Sequence, residues 1–450
     1  MRLYPEDTIC AITTPLGTSS IGGIRVSGKD SLSIVKKLFQ PFTEHVHIKS
    51  HTLYYGTLFF HGKSIDDCTA VYMQDPHSYT KENSVELFLH GNPLILQEAL
   101  GALIKSGSRF AEPGEFTKRA FLNGRFDLVQ AESVAEIINA RSTAYLDVVR
   151  ENEKGMLSSY IETVIQQILN TLALIEANIE FPEDEIDQVY KDKSTKDIVS
   201  IIHGLEKLIQ NFESTRLLKE GVIVALIGKV NVGKSTLMNT LLQKNRSIIT
   251  NIPGTTRDVI ADSITIHGIN FMLHDTAGLR VADNEVEQIG LQKTQECIDS
   301  SDIILFIVDA TTHFDEEHNS LFNQIKQKKN YIGVLNKIDT MPTKEYFDFI
   351  PISAKEQTGI EQLKSKLSEV AEKLIPRDTY KLVINLRQKM LIEEAKRSML
   401  NVESLLQMNK ELELVSFELK EALTKLEEII GKKYSEDLLT TIFSKFCVGK

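Results

Sequence analysis

Residues 228–235 constrain the fold of this chain most, because they fit the phosphate-loop pattern G-x-x-x-x-G-K-[ST]. The apolar run 222–227 leads into them, and residues 236–242 have the pattern of the helix that should open at Ser235. Strand, loop and helix therefore follow in the order that a nucleotide site requires. Two glycines let backbone N–H groups turn toward the phosphates, Lys234 reaches the β and γ phosphates, and the Ser235 hydroxyl is placed to ligate Mg²⁺.

A second motif, Asn336-Lys337-Ile338-Asp339, indicates which base is bound. It follows the apolar run 331–335, so it lies at the carboxyl end of a predicted buried strand. A carboxylate at Asp339 accepts from the N1–H and the exocyclic amine of guanine together, a donor pair that adenine lacks. Residues 353–355 follow the next apolar run, where GTPases supply a backbone N–H to the guanine oxygen. The two motifs predict GTP rather than ATP.

Two further segments match GTPase switch elements. Residues 254–258 lie in the loop after the first helix, and residues 275–278 follow a strand-like run. The Thr256 hydroxyl suits direct Mg²⁺ ligation, Asp275 suits a water-mediated Mg²⁺ contact, and the Gly278 amide suits the γ-phosphate. The predicted nucleotide-binding residues are Asn231, Val232, Gly233, Lys234, Ser235, Thr236, Thr250, Asn251, Ile252, Pro253, Gly254, Thr255, Thr256, Asp275, Thr276, Ala277, Gly278, Asn336, Lys337, Asp339, Ser353, Ala354 and Lys355.

Leu279 stands where small signalling GTPases carry the glutamine that orients water. Either the chain is a slow switch or other groups handle the attacking water. Asn231, with carbonyls of residues 250–255, would hold a monovalent cation beside the phosphates, or it is only a loop-stabilising amide. Glu287 is a candidate for positioning water, although it sits in an acidic run that also fits a solvated surface, and Arg280 is a further catalytic candidate.

The chain has 450 residues, and the GTPase signature occupies only about 221–375, so further regions need an assignment. Residues before about 107 have an α+β pattern, with strands predicted at 22–26, 53–60, 68–73 and 84–89 and a helix at 94–105. Helical patterns cover 126–212 and 385–430. The GTPase is therefore predicted to be inserted into a helical domain, although two separate bundles would give the same pattern.

Composition excludes several classes of protein. No apolar run approaches the roughly 18 residues of a membrane span, and the first residues carry acid where a signal peptide carries base. Four cysteines lack metal-ligand spacing, which predicts a reducing, cytoplasmic setting. A net charge of −11 argues against a chain that coats itself in nucleic acid. Residues 118–126 mix cations with aromatics, which fits a local basic groove or a solvated helix start.

The carboxyl-terminal segment Phe446-Cys447-Val448-Gly449-Lys450 is informative when it is considered together with other segments. Taken alone, its thiol fits a frayed tail or a group delivered to an active site, and a final lysine argues against lipidation. With residues 7–9, 22–28, 113–123, 127–132 and 254–258, however, this segment resembles the signatures of the MnmE (TrmE) family of tRNA-modification GTPases. The resemblance covers the full length.

The resemblance implies an α+β N-terminal folate-binding and dimerisation domain (1–120), a discontinuous all-α helical domain (121–215 and 378–450) and an inserted Ras-like α/β P-loop GTPase domain (216–377). It implies a homodimer, and a K⁺ ion that promotes dimerisation of the GTPase domains. The residues that correspond to the family's K⁺ ligands are Asn231, Thr250, Ile252 and Thr255, and the family's water-organising glutamate corresponds to Glu287.

In this family the protein acts with the flavoprotein MnmG, in a heterotetrameric or larger complex, on the wobble uridine of tRNA. GTP is hydrolysed, and a tetrahydrofolate such as the 5-formyl form is bound as a substrate-like cofactor. The folate ligands correspond to Arg25, Glu86, Arg125 and Lys450, with Arg125 at a place where lysine can appear. Cys447 is the candidate thiol beside that site. The rival hypotheses are a GTP-gated ribosome-assembly factor, which would need an RNA-binding module not seen here, and a membrane-remodelling GTPase, which would need a basic amphipathic helix or an anchor.

Overall fold

A computed structural model provides the structure of the chain. It describes residues 7–43, 47–180, 188–243, 263–275, 295–326, 330–340, 348–375, 382–408 and 410–450. Three architectures follow along the chain: a mixed sheet with two helices, a set of helices, and a mostly parallel sheet with helices, after which the chain returns to helices.

The N-terminal sheet has seven strands, ordered β3-β4-β5-β6-β2-β1-β7. Its elements are β1 (Ile9–Ile12), β2 (Ser19–Ser27), α1 (Ser31–Lys36), β3 (Phe39–Pro41), β4 (Leu53–Phe60), β5 (Lys63–Met73), β6 (Ser84–Gly91), α2 (Pro93–Lys105) and β7 (Arg109–Phe110). Asn92 caps α2 by accepting from the Leu94 amide, and Pro93 occupies the first helical position, where its missing N–H costs nothing. Burial alternates along the second half of β5, as one core-facing surface requires.

The first helical region comprises α3 (Glu115–Leu122), α4 (Leu128–Asn139), α5 (Thr143–Glu153), α6 (Met156–Glu180) and α7 (Gln188–Glu220). Asp127 and Gln130 form a reciprocal capping box at the start of α4. The helical pattern of residues 126–212 is broken in sequence at 181–185, and these residues lie outside the described ones.

The second sheet has six strands, ordered β13-β12-β11-β8-β10-β9. Its elements are β8 (Val222–Ile227), α8 (Lys234–Gln243), β9 (Ser263–Ile266), β10 (Ile269–Asp275), β11 (Ile303–Asp309), α9 (Glu316–Lys326), β12 (Tyr331–Asn336), β13 (Phe349–Pro351) and α10 (Ile360–Leu374). All neighbours are parallel except β9 and β10. Every residue of β11 is buried, as expected of a parallel strand covered on both faces. The carboxyl ends of β8, β11 and β12 therefore share one sheet edge.

The chain ends with α11 (Leu386–Gln407), α12 (Leu412–Ile430) and α13 (Glu436–Phe443). Buried side chains of α6 and α7 share one apolar core with those of α11 and α12, including Ile161, Leu205, Met399 and Leu426. Arg387 donates to both carboxylate oxygens of Glu132, at 2.8 Å each. The helices that precede the second sheet in sequence are thus packed against the helices that follow it.

Most predicted elements are confirmed. The strands at 53–60 and 222–227 match β4 and β8, and α8 begins one residue earlier than predicted. The strand predicted at 68–73 was too short, because β5 begins at Lys63. Four of its first five residues are polar and pair with β4 across a tight hairpin, so they carry little hydrophobic signal. None of the helices in the described ranges is both long and apolar enough to cross a bilayer.

Candidate functional site

The phosphate loop lies between β8 and α8, and its lysine is held by the loop's own backbone. Lys234 is 8% exposed. Its Nζ donates to the carbonyl oxygens of Gly228 at 2.7 Å and Lys229 at 2.8 Å. Asn231 and Gly233 have positive φ values of 65° and 96°, which turn the chain tightly ahead of the helix. The loop therefore positions an ammonium group at the start of α8.

The start of α8 adds the features that favour an anion. Ser235 and Thr236 lie exposed in its first turn, whereas Val232 is buried just before the helix. The backbone N–H groups at the start of a helix and the helix dipole both favour phosphate there. Ser235, the residue after Lys234, is the predicted source of an oxygen ligand for Mg²⁺.

Asn336 connects this loop to the predicted base-binding segments. Its side chain is 2% exposed. Its Nδ2 donates to the Val232 carbonyl at 2.8 Å, and its Oδ1 accepts from the Ala354 amide at 3.0 Å. One buried amide therefore fixes the phosphate loop and the Ser-Ala-Lys segment relative to each other.

Asp339 lies against the same segment. Ser353 Oγ donates to Asp339 Oδ1 at 2.6 Å and accepts from the Glu356 amide at 3.1 Å. The carboxylate is thus oriented by a hydroxyl that is itself held in place. Lys355, with a side chain 79% exposed, lies within 3.7 Å of the Glu356 carboxylate.

Three residues that the sequence motifs did not indicate support this arrangement: Asp309, Thr311 and Thr240. Lys337 Nζ lies 2.6 Å from Asp309 Oδ2. Burial raises the pKa of Asp309, but hydrogen bonds from Lys337 and Thr311 outweigh it and hold that pKa below its usual range. Thr240, buried on α8, donates from its hydroxyl to the Ala354 carbonyl at 2.8 Å.

Asp309 was detectable in principle. It ends the apolar strand β11 just as Asn336 ends β12, and the two are direct partners in the parallel register. A polar residue at the carboxyl end of a buried parallel strand is a recurrent signal of a ligand site. Thr240 carries no such signal, because a threonine within a helix is usually structural.

The phosphate loop is also held by Asp315, which lies outside the loop, just before α9. Lys229 Nζ lies 2.8 and 2.6 Å from the two carboxylate oxygens of Asp315. Asp315 Oδ1 also accepts from the backbone amide of His318, as an N-cap does for α9. The hydrogen bonds from Lys229 and His318 lower the pKa of Asp315 below its usual range.

Much of the predicted switch and hydrolytic machinery lies outside the described residues. This group comprises Thr250, Asn251, Ile252, Pro253, Gly254, Thr255, Thr256, Thr276, Ala277, Gly278, Arg280 and Glu287. Asp275 ends β10, one strand away from the phosphate loop in the sheet. Those assignments remain predictions. In the described part of the chain, no three His, Cys, Asp or Glu side chains form a metal-binding cluster.

The predicted folate ligands form a second cluster on the N-terminal sheet. Arg25 and Glu86 are register partners on β2 and β6, and Arg25 Nε lies 2.9 Å from Glu86 Oε1. Burial and then the charge of Arg25 lower the pKa of Lys450, while Glu86 and Cys447 act in the opposite direction. The carboxyl terminus of the chain therefore meets the N-terminal sheet at these residues.

Packing holds the terminal segment in place. Phe446 is buried in a core shared by α3, α4 and α13. The Cys447 carbonyl accepts from the Gly114 amide at 3.4 Å, and Gly449, with φ of 97°, lies so close to the Ile12 carbonyl that a Cβ would not fit. The Cys447 thiol is free and exposed. The segment is thus docked, and a frayed tail is the wrong description.

Comparison with known proteins shows the family to which the chain belongs. A family model described as "GTP-binding protein TrmE N-terminus" matches residues 8–125, and one described as "MnmE helical domain" matches residues 128–447. The chain belongs to the MnmE family of tRNA modification GTPases. MnmE relatives include the "tRNA modification GTPase MnmE" of Carboxydothermus hydrogenoformans, 41% identical over 99% of this chain and 100% of that protein.

Two other MnmE relatives show the same full-length match. The protein of Aquifex aeolicus is 39% identical and that of Thermotoga maritima 38% identical, each over 99% of this chain and 100% of the relative. MnmE membership makes this chain a GTPase, a hydrolase that acts on GTP. Asn336, Asp339 and Ser353 lie at the predicted guanine end of the site, and Lys234 lies at its predicted phosphate end.

Proposed function

We propose that this chain, together with the flavoprotein MnmG, adds an aminomethyl or carboxymethylaminomethyl group to carbon 5 of the tRNA wobble uridine. GTP hydrolysis would supply conformational energy, and a tetrahydrofolate would supply the one-carbon unit. The observation that carries this proposal is that the docked terminal segment brings Lys450 within electrostatic range of the Arg25–Glu86 pair, more than 300 residues away in sequence. A docked terminal lysine beside a paired arginine is suited to a small anionic ligand. We also propose that the protein is cytoplasmic, which fits a tRNA substrate.

The folate assignment depends on the chemistry of four side chains. Glu86 can accept paired donors from a pterin edge, and the cations Arg25, Arg125 and Lys450 suit the carboxylates of a folate tail. Arg25 NH1 is buried without a hydrogen-bond partner in the described structure. A buried donor of this kind is costly unless a ligand satisfies it. Cys447 would stand beside the bound folate as an exposed thiol.

For the GTPase reaction we propose a division of roles. Lys234 would exchange its two loop carbonyls for β- and γ-phosphate oxygens, and Asp339 would read the guanine edge. Ser235 and Thr256 would hold Mg²⁺, which bridges phosphate oxygens and neutralises their charge. The exposed Ser235 hydroxyl beside Lys234 fits this hard cation. Glu287 would position the attacking water, with Arg280 nearby in sequence.

We also propose that K⁺ binds beside the phosphates through Asn231, Thr250, Ile252 and Thr255. Asn231 fits as the described member of this set, because it lies exposed at the turn of the phosphate loop with a φ of 65°. The bound K⁺ would supply positive charge in place of an arginine finger.

The Asn231→Ala variant tests the K⁺ site. Its GTP hydrolysis rate in K⁺ is expected to fall to the rate seen in Na⁺, while its affinity for GDP changes less than about threefold, because the phosphates keep their backbone and Lys234 contacts. Asn239→Ala, an exposed amide on α8, is the matched control and should keep full K⁺ stimulation. Equal wild-type rates in K⁺ and Na⁺ would contradict the cation proposal.

The domain arrangement is part of the proposal. We place an N-terminal folate-binding and dimerisation domain at 1–120, a helical domain at 121–215 and 378–450, and an inserted GTPase domain at 216–377. The shared core of α6, α7, α11 and α12 supports one discontinuous helical domain. A homodimer, and a larger complex with MnmG, complete the proposed assembly.

Nucleoside mass spectrometry of tRNA tests the proposed function as a whole. Cells that lack this protein are expected to lose the carbon-5 aminomethyl-type wobble uridine. Re-expression of the intact chain should restore it, and re-expression of the Asp339→Asn variant should not. An unchanged nucleoside profile in the deletion strain would overturn the proposal and favour a GTP-gated ribosome-assembly factor.

A further inference from the structure

We propose that Tyr79 is the positioning residue of the anion-binding end of the folate site, because its ring aligns the guanidinium groups of Arg25 and Arg125. This inference rests on the proposed folate site and adds a residue outside the predicted ligand set. Tyr79 lies in the loop between β5 and β6, next to Ser78, whose carbonyl also accepts from Arg125 NH1 at 2.8 Å.

Both cations lie over the same aromatic ring. The Arg25 guanidinium carbon is 4.6 Å from the Tyr79 ring centroid, and the Arg125 guanidinium carbon is 4.8 Å from it. An aromatic face carries negative electrostatic potential and attracts cations at these distances. The ring therefore offsets part of the repulsion between two like charges that have to stay close together. Arg25 also lies 5.6 Å from the Phe116 ring, on the side of the core.

The ring itself is held in position. Its hydroxyl shares a 2.9 Å hydrogen bond with Thr117 Oγ1, and Thr117 is completely buried on α3. The ring also packs against the small apolar core that includes Ile9 and Phe116. Burial raises the pKa of Tyr79 above its usual value, so the hydroxyl stays neutral near neutral pH. A phenol fixed at both its face and its hydroxyl has little freedom to move.

The charged side chains around the Tyr79 ring can accommodate a bound anion. Arg25 has one carboxylate partner, Glu86, through Nε, and its buried NH1 has no hydrogen-bond partner in the described structure. Lys450 lies close enough for its charge to interact with that of Arg25. Three cations thus lie near Glu86, with the Glu153 carboxylate also within electrostatic range of Tyr79, and the unpaired NH1 donor suits a ligand carboxylate. The glutamyl tail of a folate carries such groups.

Binding of 5-formyltetrahydrofolate to the full-length chain, measured by titration calorimetry, tests this role. Tyr79→Leu removes the ring face and is expected to weaken binding by about tenfold. Tyr79→Phe keeps the face and should stay within about threefold of the wild type. Thr117→Val removes the anchoring hydroxyl and should give an intermediate loss. GTP hydrolysis should be unchanged in all three variants.

Two controls separate positioning from general structural damage. Phe212→Leu removes a similar pair in the helical region, where Lys389 Nζ lies 4.6 Å from the ring centroid, and should leave folate binding unchanged. A tetrahydropterin that lacks the glutamyl tail should lose less affinity than 5-formyltetrahydrofolate in Tyr79→Leu, because it lacks the carboxylates that Arg125 and Lys450 would hold and reaches the ring only through the Arg25–Glu86 pair.

The outcomes distinguish this inference from the proposed function. If the wild type binds the folate and Tyr79→Leu binds it equally well, the positioning role is wrong and the folate site stands. Equal losses for Tyr79→Leu and Tyr79→Phe would also overturn the role of the ring face. If Tyr79→Leu does not fold, Tyr79→Phe and Thr117→Val decide the question. If the wild type binds no folate, both the folate proposal and this inference fail.

Discussion

The affinity of the Asp339→Asn variant for GTP is expected to fall by about 100-fold. Ser353 Oγ donates to Asp339 Oδ1 at 2.6 Å, and in the variant it would keep donating to the single amide oxygen. The amide nitrogen would then face the N1–H and the exocyclic amine of guanine, so donors oppose donors. The loss of a charged hydrogen bond costs about 1.5–3 kcal/mol and a buried unpaired donor adds to it, which corresponds to one hundredfold or more.

Competition of GTP against a fluorescent GDP analogue measures this loss. Xanthine carries a carbonyl in place of the exocyclic amine, and that carbonyl accepts from the new amide nitrogen, so xanthosine nucleotides should recover most of the affinity. Asp348→Asn is the matched control, since Asp348 is exposed on the same domain and its φ of 78° is tolerated by asparagine. Weakened binding of guanine and xanthine nucleotides alike would contradict the base-reading role of Asp339.

Local motifs made the nucleotide site predictable. Strand β8, its loop and the first turn of α8 are contiguous in sequence, and each of their residues is constrained by a neighbour a few positions away. The Asn336 motif is likewise contiguous and follows an apolar strand. The structure then adds the tertiary contact that no motif contains, the amide bridge from Asn336 to Val232 and Ala354.

Pairings between distant segments were not predictable from periodicity or motif. Tyr79 meets Arg25 and Arg125 because strands β2 and β6 are neighbours in the sheet and α3 passes beside them. Nothing near Tyr79 in sequence indicates two cation partners. The prediction that this strand begins at residue 68 was wrong for a related reason. The polar residues at the start of β5 belong to the strand because they pair with β4, and the sequence pattern does not show that pairing.

A buried ion network at the start of the chain gives the second large prediction. Arg119 is 1% exposed, and its NH2 lies 2.6 Å from Asp7 Oδ1 and 2.9 Å from Glu115 Oε1. Its NH1 lies 3.4 Å from Glu82 Oε2. Burial disfavours the charged guanidinium, but these three carboxylates outweigh it and raise the pKa of Arg119. The network joins the segment before β1, α3 and the loop before β6.

Arg119→Met is expected to destabilise the N-terminal domain by about 3–5 kcal/mol, because it leaves buried carboxylates without their counter-ion. Hydrogen exchange of β1 and α3 in the full-length chain measures this local free energy, since one global unfolding transition is not assured in a protein of several domains. Arg109→Met is the matched control. Its side chain is 44% exposed although it contacts the same carboxylates of Asp7 and Glu115, so a smaller loss than that of Arg119→Met is expected.

The pH dependence of the same network provides an independent check. Burial raises the pKa of Glu115, but hydrogen bonds from Arg109, the Glu112 amide and Arg119 outweigh it, so its folded pKa lies below the unfolded value. The pKa of Asp7 is also lowered, again because its arginine partners outweigh burial. A lowered folded pKa means that the stabilisation is complete above the unfolded pKa of about 4 and is lost as the pH falls through the folded value. Hydrogen-exchange protection of β1 and α3 should therefore decrease on acidification below about pH 4, and this decrease should be smaller in Arg119→Met. An equal acid response in both proteins would show that Arg119 does not set the pKa of these carboxylates.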